Sequence, residues 1–254
     1  MQTPLTIPAP DPSSPIRRGA RQSRPFLPGG LLLGLLLAGA AGCRSTRPAP
    51  EVETLFPMDG PPHGWVVRAW NDVSQPAEGS PQWTVKNRIL TGGEPRGSWL
   101  MSERTYGDFI LEFEFKLGER GNSGLALRAP LRGDPAFDGL ELQMADLRYN
   151  PEAKPDELTG SLYRAVAPRE QVYKPTEWNK YEIACQGPEL KVVLNGTLIL
   201  DVNLNHETQR PKRHDGTEAP ALKDRPRRGH IGFQELSRDG SHVEIRNVRL
   251  QALD

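Results

Sequence analysis

Residues 109–117 read FILEFEFKL, and this alternation of apolar and charged side chains is the clearest structural signal in the chain. Leu111, Phe113 and Phe115 fall on one side of an extended segment, and the acidic residues between them fall on the other. A period of two is typical of a β-strand with one buried face. The segment therefore predicts a strand with a core side and a polar side.

The same period recurs through most of the chain. Further alternating runs occupy residues 123–128, 140–144, 181–183, 190–194, 197–202, 231–233 and 243–250. Asn195-Gly196 separates two of them and is a strong hairpin signal. The 25 Gly and 25 Pro supply turns and argue against long helices. Many short strands at close spacing predict an all-β sandwich or jelly roll.

The overall composition limits the classes of partner. The 254 residues include 32 basic and 32 acidic side chains, so the formal net charge is zero. No excess of positive charge points to nucleic acid, and we expect no such partner. The length suits one large sandwich domain, which can bury a core without disulfides. Cys185 lies in an alternating segment and is predicted to be a small buried residue rather than a nucleophile.

The first part of the chain has the pattern of an export signal. A basic stretch at residues 17–24 precedes an apolar run at 31–41, which ends in Ala-Ala-Gly-Cys at residues 40–43. The run is too short to span a bilayer stably but suits a signal peptide. Small residues before a cysteine resemble the bacterial lipobox, which implies that Cys43 is lipidated. The alternative is an ordinary signal peptide, with Cys43 an incidental thiol.

These patterns divide the chain into three segments. Residues 1–42 are predicted to be a lipoprotein signal peptide, and residues 43–53 a lipidated cysteine followed by a Pro-rich tether. Residues 54–254 are predicted to form one jelly-roll domain. Two or three acyl chains on Cys43 would hold the exported protein firmly in the bacterial cell envelope, so the membrane is an expected partner.

Polar residues lie opposite the apolar face on three successive predicted strands. They are Glu112 and Glu114, then Arg128, then Glu141 and Gln143. If these strands are neighbours in one sheet, the side chains form a cluster on its outer, concave face. Carboxylates beside an arginine and an amide suit sugar binding and acid–base chemistry. The alternative is an ordinary solvated face, because exposed sheet faces are generally polar.

Other residue types add less to the functional prediction. Trp99 follows a Gly-rich turn and is predicted at the rim of the site, whereas Trp65, Trp83 and Trp178 are predicted in the core. The histidines have no metal-ligand spacing. A calcium ion held by Asp and backbone oxygens stays an open alternative, since such sites lack a tight signature outside EF-hands. The basic segment at residues 211–214 is interpreted as a solvated loop.

Short motifs in a fixed order resemble the 3-keto-disaccharide hydrolase family. They include YGDF at 106–109, GNSG at 121–124, LRAP at 127–130, GDPAF at 133–137, GLELQ at 139–143, TGSLY at 159–163, GHIGFQ at 229–234 and IRNV at 245–248. The resemblance covers residues 54–251. It implies a concanavalin-like lectin/glucanase jelly-roll sandwich of two antiparallel sheets. It also implies cleavage of a carbohydrate substrate, a glycoside oxidised at C3.

The implied chemistry needs a base, an acid and a group that stabilises an enolate. A ketone at C3 acidifies the C2 proton, so that its removal lets the C1 oxygen leave. Glu141 is assigned as the base, with Gln143 and Arg128 holding the keto oxygen. Glu114 is a candidate acid or orienting partner. Further candidates for substrate contact are Asn122, Asp146, Tyr163, Gln234 and Trp99.

The chain departs from the family pattern after Gln234. The family often has a histidine two residues later, where this chain has Leu236. The departure favours a second hypothesis, a non-catalytic carbohydrate-binding lipoprotein of the cell surface. A third is a structural envelope lipoprotein without a ligand.

Overall fold

The computed structural model describes residues 51–254, which form mainly β-strands. The strands are β1 Val52–Thr54, β2 Trp65–Ala69, β3 Thr84–Lys86, β4 Ile89–Thr91, β5 Ser98–Tyr106, β6 Phe109–Lys116, β7 Asn122–Ala129, β8 Leu140–Ala145, β9 Asn179–Gln186, β10 Glu189–Leu194, β11 Thr197–Asn203, β12 Gly229–Glu235 and β13 Glu244–Ala252. The helical elements are α1 Pro135–Asp138 and short 3₁₀ turns at Pro155–Glu157, Leu204–His206 and Leu222–Asp224. The predicted signal peptide and Cys43 lie outside the described residues. No helix within residues 51–254 has the length and apolarity needed to cross a membrane.

The strands form two antiparallel sheets. The larger has eight strands in the order β11-β10-β9-β6-β13-β4-β3, with β1 also paired to β13. The smaller has five strands in the order β2-β5-β12-β7-β8. This arrangement confirms the predicted all-β, jelly-roll-type sandwich. Because β1 begins at Val52, the larger sheet already includes the last two residues of the predicted tether.

The core lies between the sheets and follows the period of two. Leu111, Phe113 and Phe115 on β6 are fully buried, as their spacing predicts. The ring of Phe113 meets that of Phe233 from the smaller sheet, with centroids 5.4 Å apart. Burial of each such side chain contributes about 1.5–3 kcal/mol. Cys185 is also buried, as predicted, and burial raises the pKa of its thiol to about 12.

Turn chemistry fixes the register of the β10–β11 hairpin. Asn195 and Gly196 have φ of 52° and 84°, so both central residues are in the left-handed region. This is the conformation that a tight hairpin turn requires, and Asn-Gly tolerates it best. The predicted hairpin is confirmed.

Trp178 does not lie in the core, contrary to the prediction. Its ring is only partly buried and is covered by the guanidinium of Arg246, 3.8 Å from the ring centroid, with Lys116 at 5.2 Å. The cationic side chains therefore shield this tryptophan on the outside of the larger sheet.

A bulge at Arg128 interrupts the period of two in β7. Ala126 pairs with Gly232 and Ala129 pairs with His230, so β7 contains one more residue than its partner between these pairs. Arg128 has a φ of 52° at this irregularity. An inserted residue reverses the alternation beyond it. Arg128 therefore does not share the outer face with Ala126.

The side chain of Arg128 instead connects β7 to the turn at residues 107–108 and to the turn at Gly187 inside the protein. Its Nε donates to the carbonyl of Gly107 at 2.7 Å, and one Nη donates to the carbonyl of Gly187 at 2.7 Å. The other Nη lies 3.0 Å from the carboxylate of Asp108. The guanidinium is fully buried. The prediction that Arg128 holds a keto oxygen is wrong because its donors are used in these structural contacts.

Replacing Arg128 with methionine is expected to lower the free energy of unfolding by about 3 kcal/mol, because the buried carbonyl of Gly107 and the half-buried carbonyl of Gly187 lose their donors. Chemical denaturation measures this loss. The control is Arg104→Met, whose exposed ion pair with Glu53 is expected to contribute less than about 1 kcal/mol. Equal denaturant midpoints of unfolding for the two variants would show that the contacts of Arg128 do not stabilise the fold.

Candidate functional site

The outer face of the five-stranded sheet bears a cavity of 490 Å³. Strand pairing sets Gln234 beside Trp99, Gly124 beside Gln143, and Ala126 beside Glu141 on this face. The apolar residues of alternate positions point to the core. The floor of the cavity is therefore made by polar side chains that β7, β8 and β12 turn outward, namely Asn122, Glu141, Gln143 and Gln234.

Gly124 makes room for the carboxylate of Glu141. A Cβ at Gly124 would lie 2.8 Å from Glu141 Cδ and closer still to its Oε1. Such contacts are shorter than real side chains tolerate, so an alanine there would force the carboxylate aside. The glycine thus fixes where the acidic group sits on the cavity floor.

Glu141 is a buried carboxyl without a protein hydrogen-bond donor. Only 3% of the residue is exposed, and burial raises its pKa well above the ordinary value, with a further increase from the charge of Asp134. Within residues 51–254, no side chain or backbone amide donates a hydrogen bond to this carboxylate. A desolvated carboxyl of raised pKa is typical of a general base or acid.

Asp134 supplies a second carboxyl to the same cavity. It caps α1 by accepting a hydrogen bond from the amide of Ala136 at 3.0 Å. Burial raises its pKa to about 7, although the hydrogen bond from Ala136 lowers it. The charge of Asp134 in turn raises the pKa of Glu141.

Two amide side chains offer hydrogen bonds to a ligand. Gln143 Oε1 accepts from the amide of Met144 at 2.9 Å, which leaves Nε2 as the group available to the cavity. Asn122 Oδ1 is buried and has no hydrogen-bond partner among the described residues. A buried acceptor without a partner is costly unless water or a ligand donates to it. These groups can bind hydroxyl or carbonyl oxygens of a sugar.

Tyr163 and His214 form one wall. The amide of Tyr163 donates to the carbonyl of Glu141 at 3.0 Å, and the phenol is close enough to Glu141 for the carboxylate charge to act on it. Burial raises the pKa of Tyr163, and the charge of Glu141 raises it further, which keeps the hydroxyl protonated. The ring of His214 packs against Phe137, Tyr163 and Trp70 at centroid distances of 5.4, 5.9 and 6.2 Å.

An ion pair brings the loop of His214 to the cavity. Arg213 binds both carboxylate oxygens of Asp138, at 2.7 and 3.2 Å. Asp138 also accepts a hydrogen bond from the amide of Asp134 at 3.1 Å. In the segment at residues 211–214, Lys212 and His214 are exposed, as the predicted solvated loop requires, whereas Pro211 is buried and Arg213 is half-buried in its ion pair. Desolvation beside the neighbouring rings lowers the pKa of His214, with a smaller decrease from Arg164.

A second cavity of 230 Å³ adjoins the first. The two share Asn122, Gln143, Tyr149, Tyr163 and His214. Its volume equals that of about eight water molecules at ~30 Å³ each, and the first has room for about twice as many. The site is thus elongated, with the carboxyl pair in the larger part.

Asp146 lies in the second cavity and is tied to its neighbours. Its carboxylate accepts from Arg148 at 2.7 and 3.0 Å and from the hydroxyl of Tyr173 at 3.0 Å. These contacts keep its pKa below the ordinary value although burial acts against them. The structure therefore places this predicted residue near the site but with its oxygens already engaged.

Glu114 lies outside the site, contrary to the prediction. It is on β6, which pairs with β9 and β13 in the larger sheet rather than with β7. Its carboxylate binds Arg246 at 2.7 and 2.8 Å and Asn247 at 2.9 Å. The assumption that three successive strands are neighbours holds for β7 and β8 alone.

Trp99 is buried below the cavity rather than exposed at its rim. Its Nε1 donates to the carbonyl of Trp70 at 3.0 Å, and Trp70 itself lines the cavity. The sequence reasoning gave no role to Trp70, Asp134 or His214. The motif at residues 133–137 was the available signal for Asp134, but its side chain was not singled out.

Residues 51–254 contain no group of three or more His, Cys, Asp or Glu side chains placed to hold a metal ion. Calcium held by Asp and backbone oxygens stays an open alternative.

Two crystal structures from Parabacteroides distasonis ATCC 8503, each described as that of a candidate glycosyl hydrolase, are similar to this protein. The first is 26% identical, with a TM-score of 0.59 over 67% of this chain and 90% of its own. The second is 21% identical, with a TM-score of 0.60 over 77% of this chain and 91% of its own. The sandwich is thus glycosyl-hydrolase-like in fold. No curated protein matches the chain.

The family model described as the 3-keto-alpha-glucoside-1,2-lyase-like domain matches residues 53–251. These residues include both sheets except Val52 and Ala252 at their ends, and every side chain that lines the two cavities. Because the match spans most of the sequence, the protein belongs to the family of 3-keto-alpha-glucoside-1,2-lyase-like domains.

Proposed function

We propose that this protein cleaves the glycosidic bond of 3-keto-glycosides, with Glu141 as the base that removes the C2 proton. The observation that carries the proposal is a buried carboxyl of raised pKa on the floor of a sugar-sized cavity, to which no residue of the segment 51–254 donates a hydrogen bond. Membership of the family supports the choice of substrate.

The reaction follows from the acidity that a C3 ketone gives to the neighbouring C2 proton. Glu141 takes this proton, and the electron pair of the C–H bond forms an enolate whose oxygen is at C3. The C1–oxygen bond then breaks as the enolate collapses to the unsaturated ketone. Water can add to this product afterwards, which completes a net hydrolysis.

Two neighbours of Glu141 have complementary roles in this step. The Nε2 group of Gln143 is the donor available to the enolate oxygen, where hydrogen bonds stabilise developing charge. The protonated hydroxyl of Tyr163 supplies the proton that the leaving oxygen needs. Asn122 Oδ1 accepts from a sugar hydroxyl.

The direct test is release of a chromogenic aglycone from a 3-keto-glucoside, with the unoxidised glucoside as the control. We expect release from the keto substrate alone, and a slower reaction when C2 carries deuterium. Equal rates with both glucosides would contradict proton abstraction next to the ketone.

Non-catalytic carbohydrate binding is the second candidate function. Leu236 lines the cavity at the place where the family often has a histidine. Position 236 therefore supplies no imidazole for catalysis. Under this alternative, calorimetry would find saturable binding of the keto-glucoside, while product analysis finds no release.

Asp134 is expected to set the pH dependence of the reaction. Activity rises with pH as Glu141 ionises, and the charge of Asp134 raises the pKa of Glu141. Asp134→Asn removes this charge, so the acidic limb of the kcat/KM profile moves to lower pH. Asp215→Asn is the control, because this exposed carboxylate binds Thr217 rather than the cavity. If the acidic limb of the kcat/KM profile of Asp134→Asn stayed at the pH of the unmodified protein, the charge of Asp134 would not act on Glu141.

The lipid anchor on Cys43 forms a separate part of the proposal. Cys43 follows small residues at the end of the apolar run 31–41. Export and anchoring predict that a bacterial host incorporates labelled palmitate into the protein and that Cys43→Ser abolishes the label. Labelling of the serine variant would place the lipid elsewhere.

A further inference from the structure

Two arginines converge on Tyr149, a residue that lines both cavities. Arg96 Nη2 donates to the phenol oxygen at 2.9 Å. The guanidinium carbon of Arg238 lies 4.4 Å from the centroid of the same ring. Arg96 also lines the larger cavity, whereas Arg238 lines neither cavity and reaches the site through its contact with the Tyr149 ring.

Neither guanidinium has a carboxylate partner among the described residues, and the acids closest to them in the sequence make other contacts. Glu94 accepts from the backbone amide of Arg96 at 3.0 Å, and Asp239 pairs with Arg120 at 2.6 Å. Other arginines around the site are neutralised by acids, such as Arg164 by Glu157 at 2.8 Å. The cluster therefore carries positive charge that no carboxylate of residues 51–254 contacts directly.

The geometry leaves this charge available to a ligand. A guanidinium stacked on a ring keeps its N–H groups in its own plane, where they can bind a carboxylate or sulfate through paired hydrogen bonds. Arg96 uses one N–H on Tyr149, and its remaining donors make no hydrogen bond within the part of the chain that the structure describes. Unbalanced charge at a cavity raises the local concentration of anions.

We infer that the Arg96–Tyr149–Arg238 cluster binds an anionic substituent of the glycoside, a carboxylate or a sulfate ester. The inference rests on the proposed function and names its substrate class more closely, as acidic rather than neutral glycosides. The carboxyl pair on the floor disfavours an anion there, so the charged substituent lies at Tyr149 while the oxidised ring lies over Glu141.

The test is calorimetric binding of unoxidised methyl glycosides, which the enzyme does not turn over. We expect methyl glucuronide or methyl glucoside 6-sulfate to bind about tenfold more tightly than methyl glucoside at low salt. The tighter of the two acids identifies the substituent. The preference should disappear in Arg96→Gln/Arg238→Gln and shrink at high salt. Arg104→Gln, an exposed arginine paired with Glu53, is the matched control and should keep it.

Three results would overturn the inference. Equal affinity for the glucoside and both acidic glycosides would remove the anion site, and release of product from a neutral 3-keto-glucoside would still support the proposed function. A preference that survives in the double variant would place the anion elsewhere. Absence of binding by all three glycosides, together with no release from the keto substrate, would contradict both proposals.

Discussion

Replacing Glu141 with glutamine is expected to lower kcat for cleavage of a 3-keto-glucoside about a thousandfold, the usual contribution of a general base. Glutamine keeps the shape of the side chain but cannot accept the C2 proton. Steady-state release of a chromogenic aglycone measures the loss. Exchange of the C2 proton with deuterated water should fall by a similar factor.

The matched control is Glu114→Gln, which changes a glutamate of the other sheet to the same residue. Its carboxylate binds Arg246 and Asn247 far from the cavity floor, so we expect turnover close to that of the unmodified protein. Comparable losses in the two variants would contradict the assignment of Glu141 as the base.

The stability of Glu141→Gln provides a check on its fold. In the folded protein, burial raises the pKa of Glu141, whereas the unfolded chain titrates near the ordinary value. Between these two values, the unfolded state is ionised and the folded state is protonated, so rising pH favours unfolding. Glutamine does not titrate, so the variant lacks this loss of stability with rising pH. The Tm of the variant should therefore match the unmodified protein near about pH 4 and exceed it increasingly at higher pH.

Gly124→Ala is expected to lower kcat about a hundredfold while the protein stays folded. The added methyl group would overlap Glu141, and the carboxylate must turn away from the position it holds. Misplacement of a catalytic group by about 1 Å can cost this much. The end of a glutamate is flexible, so the strain on the sheet is small.

Shortening the base should relieve the clash. In a Glu141→Asp background, the alanine at position 124 has space, and we expect it to change kcat by less than about threefold. A double-mutant cycle measures this coupling by comparing kcat of the unmodified protein, the two single variants and the double variant. Additive losses would show that Gly124 acts on activity by a route other than the position of the carboxylate.

Local patterns were sufficient to predict most of the fold. The alternation at residues 109–117 and 140–144 correctly separated core from outer side chains, because a half-buried strand has a period of two. The turn at Asn195-Gly196 was predictable for the same reason, since its conformation depends on two adjacent residues. Glu141, Gln143 and Tyr163 could be placed at one site through these patterns and the family motifs.

Long-range pairing explains the errors. Glu114 was misplaced because the alternation of β6 does not reveal which sheet it joins. Arg128 was misplaced because a single inserted residue reverses the alternation of β7. His214 was missed because its position depends on the pairing of Arg213 with Asp138, 75 residues apart in the sequence.

Burial of Glu141 has an evolutionary consequence. Since an ionisable side chain in this pocket weakens the fold at neutral pH, random mutation would readily replace it with an amide or aliphatic residue. Only selection for chemistry would retain the acid. Among homologous chains, we expect those with an acid at this position to be enzymes. Those that have lost the acid are expected to be more stable and inactive.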